Sequence, residues 1–403
     1  MNAMTTQRSD LPLAGIRVLE LGQLLAGPFA GCVLGYFGAE VIKVEPLSGD
    51  PLRNWRVLRD GTSLWWYSLA RNKKSVAIDL QTEDGRELVR KLATRSDVLI
   101  ENFKPGTMEK WGLGPEPLKA LRPDLIYTRV SGYGQTGPYA AKPGFASVCE
   151  AIGGLRHLNG FADRPPVRPN LSLGDSLAGM HAVVGVLLAL LARQHTRSGQ
   201  VVDVAIYESI FNMLEGVVPE YDGAGVIRGP SGSTLTGIVP SNTYLCADEK
   251  YVVIGANGDS LFQRLMRAIG KPEMASDSRL ANNAGRVQHE REIDAVISAW
   301  TRANDSTTVL RILDAISVPG GPIYSVADMA ADPHFNARGL FQTVDIDGQP
   351  LKIPAITPLL SDTPGSTRTP GPKLGEHTDE VLRSLLGATD ADLAKWRQAR
   401  VVR

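Results

Sequence analysis

Short, nearly continuous apolar runs alternate along the first half of the chain with stretches whose apolar residues recur at helical spacing. Runs at 16–21, 41–45, 75–80, 97–100, 125–130 and 199–206 have the length and β-branched content of strands buried on both faces. The first two are separated by a loop at 22–28 and a helix over 29–37 that Gly38 stops. A second helix is predicted over 82–94, with Leu88, Val89 and Leu92 facing inward, and a third from Glu208 to about 218. Strands separated by helices in this way predict an α/β fold built on an open parallel sheet.

Beyond Tyr221 the pattern changes. Residues 223–237 form a long Gly/Ser/Thr-rich loop, and 244–246 and 251–254 flank 247–250 as a hairpin. Helices are predicted at 260–269, 290–303 and 307–316. The expected division is a large Rossmann-like domain over 1–227 and a smaller α+β domain over 228–330. A Pro-rich linker over 331–403 then returns to the large domain and ends in a helix from Thr378.

The most apolar stretch begins beside a lone carboxylate. Asp175 and Ser176 mark a helix start, where free N–H groups and the dipole favour negative charge. The run from 177 ends at Arg193, short of the roughly 20 residues a membrane span needs, and predicts a buried core helix. Ala178 and Gly179 share the face of Asp175 and are expected to leave open space beside it. On spacing alone, Asp175 is either a helix cap or a reactive group.

Composition narrows the class. The 403 residues carry 43 basic and 43 acidic side chains, so no global field draws nucleic acid or an anionic membrane. Cys32, Cys149 and Cys246 are scattered, without metal-ligand spacing, and read as reduced core residues. No metal site is expected. Residues 1–10 lack the apolar core of a secretory signal, so a cytoplasmic protein is expected.

Three predicted strands end in polar or Gly-rich loops, at 22–28, 101–106 and 131–137, which suggests one shared ligand-binding edge. The glycines at 22–31 do not fit G-x-G-x-x-G, and Glu45 closes the second strand slightly early for a ribose-binding acid. This weakens the alternative of an NAD-type oxidoreductase.

Seven ordered strings together resemble the class III CoA-transferase family: GAEVIKVE at 38–45, RNKKS at 71–75, ENFKPG at 101–106, SGYGQTGP at 131–138, GDS at 174–176, VPGGPI at 318–323 and GEHTDEV at 375–381. The resemblance runs from about Leu13 to Leu386. It implies a CoA-transferase in which Asp175 attacks an acyl-CoA and passes through acyl-aspartyl and aspartyl-CoA intermediates. The space beside Ala178 and Gly179 would hold the thioester, and nearby backbone N–H groups would steady the oxyanion. Coenzyme A enters as part of the substrate, with no tightly bound cofactor. The resemblance places CoA contacts on Leu25, Ala26, Ile78, Asp79, Leu80, Gln81, Asn102, Phe103, Lys104, Lys110, Lys142 and Phe145. Lys104 and Lys110 suit phosphates and Phe103 suits the adenine, with Arg71, Lys73 and Lys74 as additional cations. It also implies an obligate, interlocked, ring-shaped homodimer.

Departures from the family pattern guide the substrate. Formyl-transferring members have glutamine, arginine and tyrosine where this chain has Leu25, Pro46 and Phe145, and a glycine run that 229–237 does not reproduce. A small dicarboxylyl donor, succinyl-CoA, is therefore expected, with malate, citramalate or itaconate as acceptor. Ser231, Ser233, Thr234, Thr236, Ser241 and Asn242 form a polar lid suited to the second carboxylate. Racemases of the superfamily carry a histidine where Phe145 stands. His181, six residues and about 240° round a helix from Asp175, does not replace it, so an acyl-CoA racemase or isomerase is the weaker alternative. A non-catalytic CoA-binding dimer is the third reading.

Overall fold

The computed structural model describes residues 10–403, so the sequence reading of the leader falls almost wholly outside the described residues. The chain divides into two units. The first comprises the residues up to Leu155, Pro169–Glu215 and His334–Arg403, and the second Arg156–Arg168 and Gly216–Pro333. The second unit thus starts at Gly216 rather than 228, and it takes in a segment preceding the Asp175 helix that the sequence pattern does not reveal.

Six parallel strands form the sheet of the first unit: β1 (Arg17–Glu20), β2 (Glu40–Glu45), β3 (Lys73–Ala77), β4 (Val98–Glu101), β5 (Ile126–Ser131) and β6 (Val201–Ala205). Their spatial order is β3-β2-β1-β4-β5-β6, the doubly wound arrangement whose direction reverses between β1 and β4. Side chains alternate between two cores. Val18, Val98, Ile100 and Ile126 point to one, and Leu19, Leu99 and Tyr127 to the other, which explains why the strands read as continuous apolar runs. The helices that matter for the site are α1 (Ala26–Tyr36), α2 (Glu83–Thr94), α3 (Ala146–Ile152), α4 (Leu173–Thr196) and α5 (Ile206–Phe211). Helix α2 starts on the Thr82 hydroxyl, which accepts the Gly85 N–H, and buries Leu88, Val89 and Leu92 as the spacing predicts. The helix expected over 208–218 is broken. Helix α5 stops at Phe211, and Glu215 takes a left-handed φ of 52° before a separate helix, Val217–Ala224, begins in the second unit.

Helix α4 corrects the sequence reading. It spans 24 residues, long and apolar enough by length and composition to cross a membrane, a test that core helices also pass. Only one stripe is buried: Ala178, Gly179, Ala182, Val183, Val186 and Ala189 pack into the core shared with α1. Met180, Val184, Leu187, Leu188 and Leu191 lie exposed on the opposite side.

Three buried acids and three buried bases tie the sheet to the β1–α1 loop. Lys43 Nζ meets Glu20 at 3.1 Å and Asp50 at 2.8 Å and donates to Gly22 O, while Lys73 meets Glu20 at 2.7 Å and donates to Pro28 O in the first turn of α1. Arg53 pairs with Glu45 and stacks 3.7 Å from the Trp66 ring. Gly31 is required here, since a Cβ would stand 1.9 Å from Glu20 Oε2. Burial alone would lower the Lys43 ammonium pKa, but Asp50, Glu20 and Glu45 reverse this and hold it well above its usual range. Asp50 also accepts the Leu24 N–H, securing a residue with a left-handed φ of 62°.

The return segment covers the edge strand β3. Gly375 N–H donates to Ser75 Oγ, Ala77 N–H to Thr378 Oγ1 and Asp79 N–H to Val401 O, and Ile78 bridges to Val402. In the second unit, β7 (Ser241–Leu245), β8 (Tyr251–Gly255) and β9 (Gly320–Pro322) form an antiparallel sheet in the order β9-β8-β7. The first two are the predicted hairpin, Leu245 opposite Tyr251. Buried Arg286 clamps this unit by donating to Val239 O, Leu280 O and Asn257 O.

Removing Lys43 would leave buried Asp50 without its cation and Glu20 with Lys73 alone. Lys43→Met is expected to lower the unfolding free energy by about 3–5 kcal/mol, read as an earlier denaturation midpoint in urea.

Candidate active site

Asp175 is the third residue of α4, not its cap. The N-cap is Ser172, whose side chain makes no capping bond, so Asp175 is a first-turn acid on the favourable side of the dipole. Helix α4 is held from two directions at this end. From α3, Glu150, fully buried, accepts the Gly174 N–H on Oε1 at 3.1 Å. From α1, close packing at Gly179 leaves no room for a side chain, since a Cβ would stand 2.8 Å from both Ala26 O and Phe29 Cδ1. Ala178 and Gly179 therefore make room for α1 rather than for a thioester. Two first-turn donors are also committed, Gly174 N–H to Glu150 and Ser176 N–H to Ser172 O, and neither is available to an oxyanion.

Cys149, next to Glu150, donates its thiol to Gly132 O, and its Sγ fills the space between Gly132 and Gly144. A Cβ on either glycine would approach the other glycine's Cα to 3.0 Å or less, so the loop after β5 and the residues before α3 meet backbone to backbone. Burial, and then the Asp175 and Glu150 carboxylates, push the Cys149 thiol up to about 11. Cys149 is thus a neutral packing residue within electrostatic reach of Asp175. Sequence reasoning missed Glu150. Its only signal was a charged residue in an otherwise small and apolar stretch at 146–154.

The predicted CoA contacts all follow the carboxyl ends of the sheet strands or the loops leading from them. Leu25 and Ala26 follow β1, residues 78–81 follow β3, Asn102, Phe103, Lys104 and Lys110 follow β4, and Lys142 and Phe145 follow β5. Their side chains are not equally available. Leu25, Ala26 and Ile78 are buried in the cores. Leu80 is half-buried and Gln81 exposed, its N–H donating to the Asp79 carboxylate. Asn102 spends both ends of its amide on the β1–α1 loop, accepting from Gln23 N–H and donating to Gln23 O, each at 2.8 Å. Phe103 packs edge-on against Trp111. Lys104 and Lys110 are exposed, Lys142 lies 3.6 Å from the Tyr139 ring, and Phe145 is 72% exposed just ahead of α3.

The additional cations are spent internally. Lys73 belongs to the buried cluster, Lys74 pairs with Glu40 and Glu380, and Arg71 donates to Ser68 O and Pro354 O. Under the β4 loop, Glu101 accepts from Arg129 and from Phe103 N–H, and burial pushes its carboxyl up to about 7 against their pull. In the second unit, Ser231 donates to Thr234 O, Ser233 to Asn242 Oδ1 and Asn242 to Asp294, so much of the proposed lid's polarity is satisfied within the loop and its neighbours. His181 bonds Leu177 O and Asn212. Among the described residues no group of three or more His, Cys, Asp and Glu side chains could hold a metal ion.

Comparison with known proteins gives a consistent answer. Residues 13–378 match the family described as CoA-transferase family III. The chain is 49% identical to a succinyl-CoA–D-citramalate CoA-transferase of Chloroflexus aurantiacus, over 99% of this chain and 100% of that one. It is 36% identical to a succinate–glutarate CoA-transferase of Agrobacterium fabrum, over 93% and 96%. Among solved structures, a CAIB/BAIF family protein from Brucella suis superposes with a TM-score of 0.82 at 36% identity, covering 93% of this chain and 100% of that one.

Proposed function

The chain belongs to CoA-transferase family III, and on that premise we propose that it transfers coenzyme A from succinyl-CoA to a small dicarboxylic or hydroxydicarboxylic acid, with Asp175 as nucleophile. The observation that carries this reading is Asp175 itself, in the first turn of a helix gripped by α1 and α3. The relatives' names support the donor and the acceptor class: citramalate and glutarate are both dicarboxylates of similar size.

The chemistry balances without an external oxidant or proton donor. An Asp175 oxygen attacks the thioester carbonyl of succinyl-CoA and expels CoA thiolate, leaving a succinyl-aspartyl anhydride. The thiolate attacks the aspartyl carbonyl, succinate departs, and an aspartyl-CoA thioester remains. The acceptor carboxylate then attacks that carbonyl and frees the thiolate, which attacks the acceptor's carbonyl, releasing the new acyl-CoA and regenerating Asp175. The anhydride steps are uphill and the thiolate's return recovers that energy, so the whole sequence exchanges one thioester for another, and exclusion of water protects the activated carbonyl. Lys104 and Lys110 are the exposed cations near the switch point that suit the CoA phosphates. No histidine stands at position 145, so the two-base racemase reading lacks a partner.

We also assign this chemistry to a cytoplasmic homodimer, interlocked as in the family. Supporting this is the exposed face of α4, where Met180, Val184, Leu187, Leu188 and Leu191 lie in line. Burying what remains exposed of each would contribute roughly half of the 1.5–3 kcal/mol of full burial, still a drive for a second copy to cover them. The three buried, unpaired cysteines suit a reducing compartment.

Two experiments check these claims. Asp175→Ala is expected to keep its fold and lose at least about three orders of magnitude in turnover, measured by mass spectrometry of the CoA thioesters formed from succinyl-CoA and a pool of acids. Full activity in that variant would exclude the covalent route. In sedimentation equilibrium the protein should have twice the 43.4 kDa chain mass, and Leu188→Glu with Leu191→Glu should yield monomer or aggregate. A monomeric native protein would contradict the assignment.

A further inference from the structure

A buried carboxylate beside the start of a helix calls for a reason, because desolvating a charge is unfavourable unless something compensates it. Glu150 is fully buried, and α3 delivers it against the first turn of α4. Ser172 gives α4 no side-chain cap, so the first-turn donors must find acceptors elsewhere. Glu150 Oε1 supplies one, for Gly174 N–H at 3.1 Å. The residue it holds immediately precedes Asp175.

Position 174 is shaped for this contact. A Cβ there would stand 3.1 Å from Glu150 Cγ, 3.4 Å from its Oε1 and 3.0 Å from Ile206 Cγ2. Glycine at 174 is therefore the residue that lets Glu150 and α5 close on the helix start together. With Gly179 seated on α1 one turn later, the segment carrying Asp175 is fixed at both ends, by a hydrogen bond before it and by backbone packing after it.

We infer that Glu150 is the positioning residue for the nucleophile: by accepting the Gly174 N–H it holds the first turn of α4, and with it the attack geometry of Asp175. This rests on the reading of Asp175 as nucleophile. The hydrogen bond carries the role, so an amide that keeps an acceptor oxygen at the same reach performs it as well. The grip matters twice per half-reaction, since the same carboxyl carbon must first present an oxygen to the substrate and then present its own carbonyl to the thiolate. A displacement of about 1 Å in a reacting group lowers rate by about a hundredfold.

The test compares Glu150→Met, which fills the volume without an acceptor, with Glu150→Gln, which keeps one. Single-turnover formation of the CoA adduct on Asp175 and steady-state kcat and KM for succinyl-CoA are measured for both, with Asp175→Ala alongside. Expected are a fall of about 30- to 300-fold in adduct formation and kcat for Glu150→Met, less than a threefold change in KM, and rates within about threefold of native for Glu150→Gln. Gly174→Ala, whose Cβ would crowd Glu150 Cγ at 3.1 Å and Ile206 Cγ2 at 3.0 Å, should lower kcat in the same direction and serves should the Met variant fail to fold. The inference is overturned if Glu150→Met turns over normally. It is equally overturned if Glu150→Gln is as impaired as Glu150→Met, because the charge and not the hydrogen bond would then be required. An active Asp175→Ala would instead remove the underlying reading of the nucleophile.

Discussion

Everything proposed for this protein depends on how closely α4 approaches its neighbours at its first two turns. Two glycines set that approach, Gly174 against Glu150 and Ile206, and Gly179 against the Ala26 carbonyl and Phe29. A side chain at 179 would meet the α1 backbone, and one at 174 would press on Glu150 and Ile206. Asp175 stands between them, so its position is a product of packing on both sides rather than of local capping.

The other face of the same problem is the β1–α1 loop, against which α4 packs through α1. That loop carries a left-handed Leu24 and would be costly to hold alone. Asn102 pairs with Gln23 across the switch point, Asp50 accepts from Leu24, and the cluster of Glu20, Lys43, Lys73 and Asp50 anchors both ends. Such buried charges contribute little net stability compared with apolar packing. Their effect is directional, since each ammonium fixes a carbonyl, Gly22 O or Pro28 O, at a defined place. Residues whose sequence suggested substrate contact, Asn102 and Lys73 above all, therefore build the edge on which substrate would sit.

Much of this was legible beforehand, and unevenly so. The six strands and α2 announced themselves because strands buried on both faces must be apolar throughout, and because a surface helix must segregate its apolar residues. Asp175 stood out as a charge at the mouth of an apolar helix. The errors share one cause, which is that a sequence displays residue types but not what stands opposite them. Ala178 and Gly179 read as open space beside Asp175, whereas α1 packs against Gly179. Helix α4 looked wholly buried because its exposed stripe of Met180, Val184, Leu187, Leu188 and Leu191 is as apolar as its buried one. Basic residues 71, 73 and 74 looked like a phosphate patch, although their partners Glu20, Glu40, Pro354 and Glu380 lie far away in the chain. Glu150 shows only as a lone charge in a small, apolar stretch until α3 and α4 are brought together.

The central claim is that an oxygen of Asp175 becomes part of the acyl bond. It is tested most directly by giving the protein succinyl-CoA and an acceptor acid labelled with heavy oxygen in its carboxylate, then weighing the peptide that contains residue 175. The account predicts that one labelled oxygen is left on Asp175 after a single turnover and passes into succinate on later ones. New acyl-CoA formed while Asp175 stays unlabelled would contradict it, since CoA would then have moved without ever residing on that carboxylate.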